Sequence, residues 1–206
     1  MRIITISREF GSGGRELGKR LADATGYDYY DNEIISEVAQ NIGISPDYIE
    51  NALSNHGWQN LAITYRGTLS SPSYLYSAQV QILVEQKKII EQIAALGKDC
   101  IIVGRNADMI LRNYAPFNLF VCAQTDAKVK RCMERASADE KLTEKELVRK
   151  MKQIDKVRSQ TRELMGGSDW GRRDGYHLIV NTTGWEIKEL VPAVVDFANR
   201  WFGRKK

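Results

Sequence analysis

The chain has 206 residues, 43% of them hydrophobic and 27% charged, with a formal net charge of +4. A chain of that length buries roughly 70% of its unfolded surface, so a packed core needs no disulfide or metal staple. No stretch approaches the roughly 18 apolar residues of a membrane span, and the charge is too small for a general polyanion binder, which makes nucleic acid an unlikely partner.

The first element is "RIITIS" (2–7), a near-continuous apolar run that reads as a strand covered on both faces. It is too short and too soon polar to be a signal peptide. The next stretch, "REFGSGGREL", places Gly11, Gly13 and Gly14 within four residues. A strand, a glycine-rich loop and a helix make an anion cradle. Glycines let backbone N–H groups point inward, and the helix adds its own N-terminal N–H groups and dipole. The helix shows Leu17, Leu21 and Ala24 along one side and stops at Gly26.

The usual phosphate loop is G-x-x-x-x-G-K-[ST]. "GGRELGKR" imitates it from Gly13 to Lys19, but Leu17 and Leu21 put that Gly-Lys pair inside the helix. The better register sets Gly14-Arg15 at the Gly-Lys position, with Glu9 at the first glycine and Glu16 at the hydroxyl. Arg15 then replaces the lysine, and Ser12 lies inside the cradle.

A second strand is expected at "YDYYD" (27–31), ending in Asp31. A capping Ser45 before Pro46 starts a helix, and "GTLSSPS" (67–73) reads as a flexible segment. A long helix near 76–96 leads into the strand "DCIIVG" (99–104), and "FNLFVCA" (117–123) is a fourth strand. A helix begins near Asp126, a charged one spans 143–165, "YHLIVN" (176–181) is the fifth strand, and an amphipathic helix over 185–202 ends at Gly203. Residues 128–173 hold 14 Lys/Arg against 8 Asp/Glu, a local excess that fits phosphate or a solvated helix face. Arg158 and Arg162 are i,i+4 on one face, with Asp155 one turn earlier. Arg131 and Arg135 form a second such pair, which reads more readily as a solvated basic face.

The cysteines Cys100, Cys122 and Cys132 lack CxxC spacing and read as thiols of a reducing, cytoplasmic compartment. His56 and His177 read as structural or solvent residues; Trp170 carries no functional signal. Strands alternating with helices mean an α/β protein with a parallel sheet. Two intervals, 32–98 and 124–175, are too long for simple crossovers, and each is read as a crossover carrying a helical flap.

With "SGGR", "IIVGRNAD" (101–108) and "DKVRSQTR" (155–162), the chain resembles the cytidylate kinases, above all the divergent cytidylate kinase-like group, over essentially its whole length. The resemblance implies a three-layer αβα P-loop kinase fold of strand order 2-3-1-4-5. It implies one domain over 1–206, with an acceptor-binding flap near 32–75 and a basic lid near 135–172. The implied reaction is transfer of a phosphoryl group from ATP, with Mg²⁺, to a nucleoside monophosphate such as CMP or dCMP. By the same resemblance Gly11, Ser12, Gly13, Gly14, Arg15 and Glu16 hold the donor phosphates. Asp31 and Arg105 hold the acceptor, Arg158 and Arg162 are lid arginines, and Asn181, Thr182 and Thr183 lie by the donor base. Arg15, Arg158 and Arg162 are the expected catalytic cations.

The departures are specific. The loop has neither Lys nor Ser/Thr, Asn106 replaces the aspartate after Gly-Arg, and Val103 stands where an acidic residue is common. Glu16, Asp31 and Asp108 are the open alternatives for Mg²⁺. Alongside a nucleoside monophosphate kinase stand a kinase of another small acceptor and a nucleotide-binding sensor that kept the cradle and lost the chemistry.

Overall fold

A computed structural model describes residues 1–31, 72–136, 142–167 and 170–204. Among these, five strands form one parallel sheet of order β2-β3-β1-β4-β5. The strands are β1 (Ile3–Arg8), β2 (Asp28–Tyr30), β3 (Cys100–Val103), β4 (Phe117–Cys122) and β5 (Leu178–Asn181). The helices, numbered within the described residues, are α1 (Gly14–Thr25), α2 (Pro72–Ala95), α3 (Ala107–Ile110), α4 (Thr125–Arg135), α5 (Glu144–Leu164) and α6 (Ile187–Phe202). This is the expected α/β order. The Ser45-Pro46 helix start, His56 and nearly all of the proposed flap fall outside the described residues.

β1 is the central strand. Ile4 sits opposite Ile101 of β3 and opposite Phe117 of β4. Its residues from Ile3 to Ser7 are buried throughout, as a strand covered on both faces requires. Ile4 and Ile6 join Leu17 and Leu21 of α1, Leu119 and Val121 of β4, and Ile187, Val191 and Val194 of α6 in one apolar cluster. α1 turns Leu17, Gly18, Leu21 and Ala22 inward while Ala24, expected on that side, is exposed, and it closes on Gly26, whose N–H donates to Ala22 O at 2.8 Å. A second, smaller cluster joins Val129 of α4 to Leu147 and Met151 of α5, with Phe10 against it. α5 opens on a capping box in which Thr143 and Glu146 satisfy each other's backbone N–H groups.

The chain divides into two compact units, 1–29 with 98–206, and 30–97. The first carries the glycine loop and α3 to α6. The second contains α2, where Ile89, Ile90, Ile93 and Ala94 are buried at helical spacing. β1 runs one residue further than the apolar pattern predicts, because Arg8 keeps strand pairing opposite Val121. That extra residue matters for the site.

Candidate functional site

The loop between β1 and α1 lies at the carboxyl end of the central strand, where open parallel sheets place their ligands. Gly13 is the N-cap of α1 with φ 82° and no side-chain cap, so the helix's first turn is presented without a competing side chain. Gly14 is glycine for another reason. A Cβ there would lie 2.6 Å from Arg8 Cβ and 3.3 Å from Val121 Cβ. Internal packing is thus a second reason, beside the cradle, for a glycine here.

The loop's carbonyls are engaged from several directions. Ser12 is fully buried, its Oγ donating to Glu9 O at 2.8 Å, while Ser12 O accepts from Thr182 Oγ1 at 2.7 Å. Arg131 donates from Nη1 to Gly11 O at 2.9 Å and from Nη2 to Thr182 O at 3.3 Å. Arg131 is therefore a bracket on the loop, which corrects its reading as a solvated face. Arg135 hydrogen-bonds Glu16, which also accepts from Arg20 Nε at 2.8 Å. Burial alone would raise the Glu16 carboxyl, but these two arginines bring it below the usual value. Glu9 accepts from Lys128 Nζ at 2.9 Å and from Ala123 N at 3.3 Å.

α5 reaches the same loop. Asp155 Oδ1 accepts from Phe10 N at 2.8 Å and from Arg158 Nη1 at 2.9 Å. Arg158 Nη1 also donates to Arg8 O at 2.9 Å. Burial pushes the Asp155 carboxyl up, against the pull of Arg158. So Asp155 and Arg158 latch the charged helix onto the end of β1 and the start of the loop.

Next to this latch lie two more arginines. The Arg8 guanidinium rests on Gly104, the residue that follows β3. A Cβ at Gly104 would overlap Arg8 Nη1 and come within 2.8 Å of Cζ. Gly104, Arg105 and Asn106 follow one another at φ 82°, 58° and 51°, a left-handed run that two non-glycine residues adopt only under constraint. Burial opposes the charge on Arg8, Arg105 and Arg158, and Arg158 repels both others. Burial, chiefly, brings Arg105 down to about 10. Guanidinium groups stay protonated, so three of them share this neighbourhood, with Asp155 supporting the charge of Arg158 and of Arg8.

Arg162 is elsewhere. Its Nη1 donates to Asp108 Oδ2 at 2.6 Å, and the two side chains are only 5% and 3% exposed. Its guanidinium carbon also lies 5.6 Å from the centre of the Tyr176 ring. The two arginines are therefore held differently: Arg158 by Asp155 beside the loop, Arg162 in this internal pair.

The remaining expected residues are spread around the loop. Arg15 is exposed on the first turn of α1, and its backbone carbonyl accepts from Tyr29 Oη at 3.3 Å. Thr182 serves the loop through Ser12. Thr183 Oγ1 accepts from Gln124 N at 2.8 Å, and Asn181 Oδ1 accepts from Thr183 N at 3.0 Å. These two shape the turn after β5. Asp31 directly follows β2, is buried, and belongs to the 30–97 unit. No group of three or more His, Cys, Asp or Glu side chains among the described residues is placed to hold a metal ion. No described helix is long and apolar enough to cross a membrane. Cys100 is buried, with its thiol pushed up to about 12 by burial, which makes it inert.

Sequence reasoning placed Glu9 in the loop but missed Arg8 and Lys128 as parts of the site. For Arg8 the available signal was position: a charged residue at the carboxyl end of a buried parallel strand stands on the ligand side of the sheet. Lys128 lies on α4 and reaches Glu9 from there, which no local pattern marks.

Comparison with known proteins adds the lineage. The model of the cytidylate kinase-like family matches residues 3–184. A crystal structure of an uncharacterized protein from Eubacterium ventriosum is 25% identical, covers 97% of this chain and 99% of its own, and superposes with a TM-score of 0.70. The shikimate kinase of Acinetobacter baumannii, solved with shikimate, is 11% identical over 99% of this chain and 96% of its own, with a TM-score of 0.53. A sugar kinase from Janibacter is 14% identical over 97% and 95%, with a TM-score of 0.54. These two share the fold, that of the P-loop kinases. No match was found among curated proteins.

Proposed function

The chain belongs to the cytidylate kinase-like family, and on that premise we propose that it transfers the terminal phosphoryl group of ATP to a nucleoside monophosphate of the CMP or dCMP type. The observation that carries this reading is the loop itself. It sits at the carboxyl end of β1 with an uncapped helix start, and arginines from α4 and α5 donate to its carbonyls.

Phosphoryl transfer asks for alignment and for neutralisation of charge on the transferred group. The backbone N–H groups of the loop and first turn of α1 would hold the donor phosphates. Gly11, Gly13 and Gly14 keep that surface compact, with Arg15 and Glu16 at its rim. Arg105 and Asp31 are assigned to the acceptor by the family resemblance. Arg158 is assigned to the lid by the family resemblance, and it donates to Arg8 O where the loop begins. Thr182 and Thr183 border the space for the donor base, with Asn181 beside them. The ATP of such kinases arrives with Mg²⁺. Glu16, at the hydroxyl position of the loop, is engaged by Arg135 and Arg20. Asp108 is engaged by Arg162. Asp31 is then the remaining of the three carboxylates proposed for Mg²⁺, an ion that takes few protein ligands and many waters, and no step is assigned to it. Work on a nucleotide would place the protein in the cytoplasm.

One observation favours a second reading. With Glu9 tied to Lys128 in the loop and Arg162 tied to Asp108, several charges of the site are already engaged within the protein. A nucleotide sensor needs no more than that. The experiment is an acceptor screen. ADP formation is followed with ATP, Mg²⁺ and a panel of nucleoside monophosphates. Shikimate and sugars are included because kinases of this fold act on them. Turnover with CMP or dCMP supports the first reading. Tight ATP binding without turnover on any acceptor supports the second.

A further inference from the structure

The kinase reading leaves one chemical position empty. A phosphate loop normally brings a lysine to the transferred phosphoryl group, and this loop has none. The sequence offers Arg15 as a substitute, yet Arg15 projects from the exposed first turn of α1. Arg8 is placed differently. It is the last residue of β1, and its guanidinium lies against the backbone of Gly104, at the carboxyl end of the neighbouring strand β3. Among the described residues no carboxylate forms an ion pair with it. Arg8's own carbonyl is held by Arg158 Nη1 at 2.9 Å, and the chain turns from Gly104 directly into Arg105.

We propose that Arg8 supplies, from the end of the central strand, the cation that binds the terminal phosphoryl group of the donor. This rests on the reading of the site as a phosphoryl-transfer site and names a residue that reading does not assign.

Three observations support it. The contact with Gly104 fixes the guanidinium, and any larger residue at 104 would displace it. A planar fork held against backbone presents its remaining N–H donors in a set direction, which suits bidentate contact with phosphoryl oxygens. Arg158 and Arg105 each oppose its charge more than Asp155 favours it, a repulsion that an added anion would relieve. In the transfer, the bond from the γ-phosphorus to the β–γ bridging oxygen breaks, and that electron pair leaves with ADP. A bond from an acceptor oxygen to phosphorus forms. Arg8 takes no proton and forms no bond; it balances charge on the phosphoryl oxygens throughout.

The cluster's anion could instead be the acceptor's phosphate, and the test separates the two. Calorimetric titrations use inorganic tripolyphosphate, ATP, ADP and CMP against wild type, Arg8→Gln, Arg8→Lys and Lys19→Ala. Losing a charge-assisted donor costs on the order of 10- to 100-fold in affinity. Arg8→Gln should therefore weaken tripolyphosphate and ATP by about that factor, ADP by less, and CMP little. Arg8→Lys should recover part of the loss, and Lys19→Ala should match wild type. Arg8→Gln binding ATP and tripolyphosphate as wild type does, or losing CMP alone, overturns the proposal. Should Arg8→Gln fail to fold, the wild-type protein decides: the Arg8 Nε resonance must shift when tripolyphosphate is added, and an unmoved signal overturns the proposal. If no acceptor ever yields ADP while tripolyphosphate still requires Arg8, the kinase reading falls and this inference stands.

Discussion

Arg162 and Asp108 form a buried ion pair at 2.6 Å, and the second carboxylate oxygen of Asp108 has no hydrogen-bond partner. The pair joins α5 to α3, two elements far apart in the sequence. Removing one member strands a desolvated charge, which typically costs about 3–5 kcal/mol. Arg162→Ala should therefore lower stability by about that amount in urea unfolding, and Arg162→Met with Asp108→Leu should recover much of it. A loss of turnover in Arg162→Ala at unchanged stability would instead return Arg162 to the transferred phosphoryl group.

The latch between α5 and the loop is a separate matter. Asp155→Ala removes the acceptor of both Phe10 N–H and Arg158. The loop's amide then lacks its partner and Arg158 loses its orientation. ATP affinity should fall by about tenfold, with a smaller fall in thermal stability. Equal ATP binding by Asp155→Ala and wild type would show that the loop keeps its shape without α5.

Gly14 tests packing against binding. A Cβ there meets Arg8 Cβ and Val121 Cβ, neither of which is the far end of a flexible side chain. Gly14→Ala should destabilise the fold by about 1–3 kcal/mol as overpacking does. Lys19→Ala, on an exposed side chain paired with Asp23 at 3.6 Å, should change stability by less than about 0.5 kcal/mol. Denaturation midpoints of the two variants check both values.

His177 gives a pH signature. Its Nδ1 accepts from Asn118 N at 2.8 Å and its ring stacks on Phe117. Burial, with Arg204 nearby, depresses its pKa below 6.5. A depressed folded value means that the unfolded chain binds the proton more readily. Stability from this residue is thus full above pH 6.5 and declines as pH falls below it. Proton NMR titration should place His177 below that value, and His177→Gln should flatten the decline.

The sheet was legible because buried parallel strands leave apolar runs such as "IITIS" and "LFVC", and the crossover rule turns alternation into topology. The glycine loop was legible because its residue types are few and close together. Arg8 was not. Its meaning depends on Gly104, which follows the neighbouring strand β3 and is distant in sequence. The partner of Arg162 was hidden for the same reason: i,i+4 spacing shows which helix face a residue shares, but not the Asp108 that it pairs with. Arg131 looked like one more cation in a basic stretch, because a hydrogen bond to a loop carbonyl leaves no mark in composition.

The hydrogen bonds around the loop have a dynamic consequence. The oxygens of Arg8, Glu9, Gly11, Ser12 and Gly13 are each taken, by Arg158, Ser12, Arg131, Thr182 and Leu17 in turn. A peptide unit whose oxygen is tethered cannot turn over without breaking that tether, so the orientation of the amide hydrogens is set before any ligand arrives. The loop behaves as a solvent shell frozen in advance. Little orientational entropy remains for a phosphate to extract, and the loop amides that face the ligand should exchange more slowly once a phosphate accepts their hydrogens.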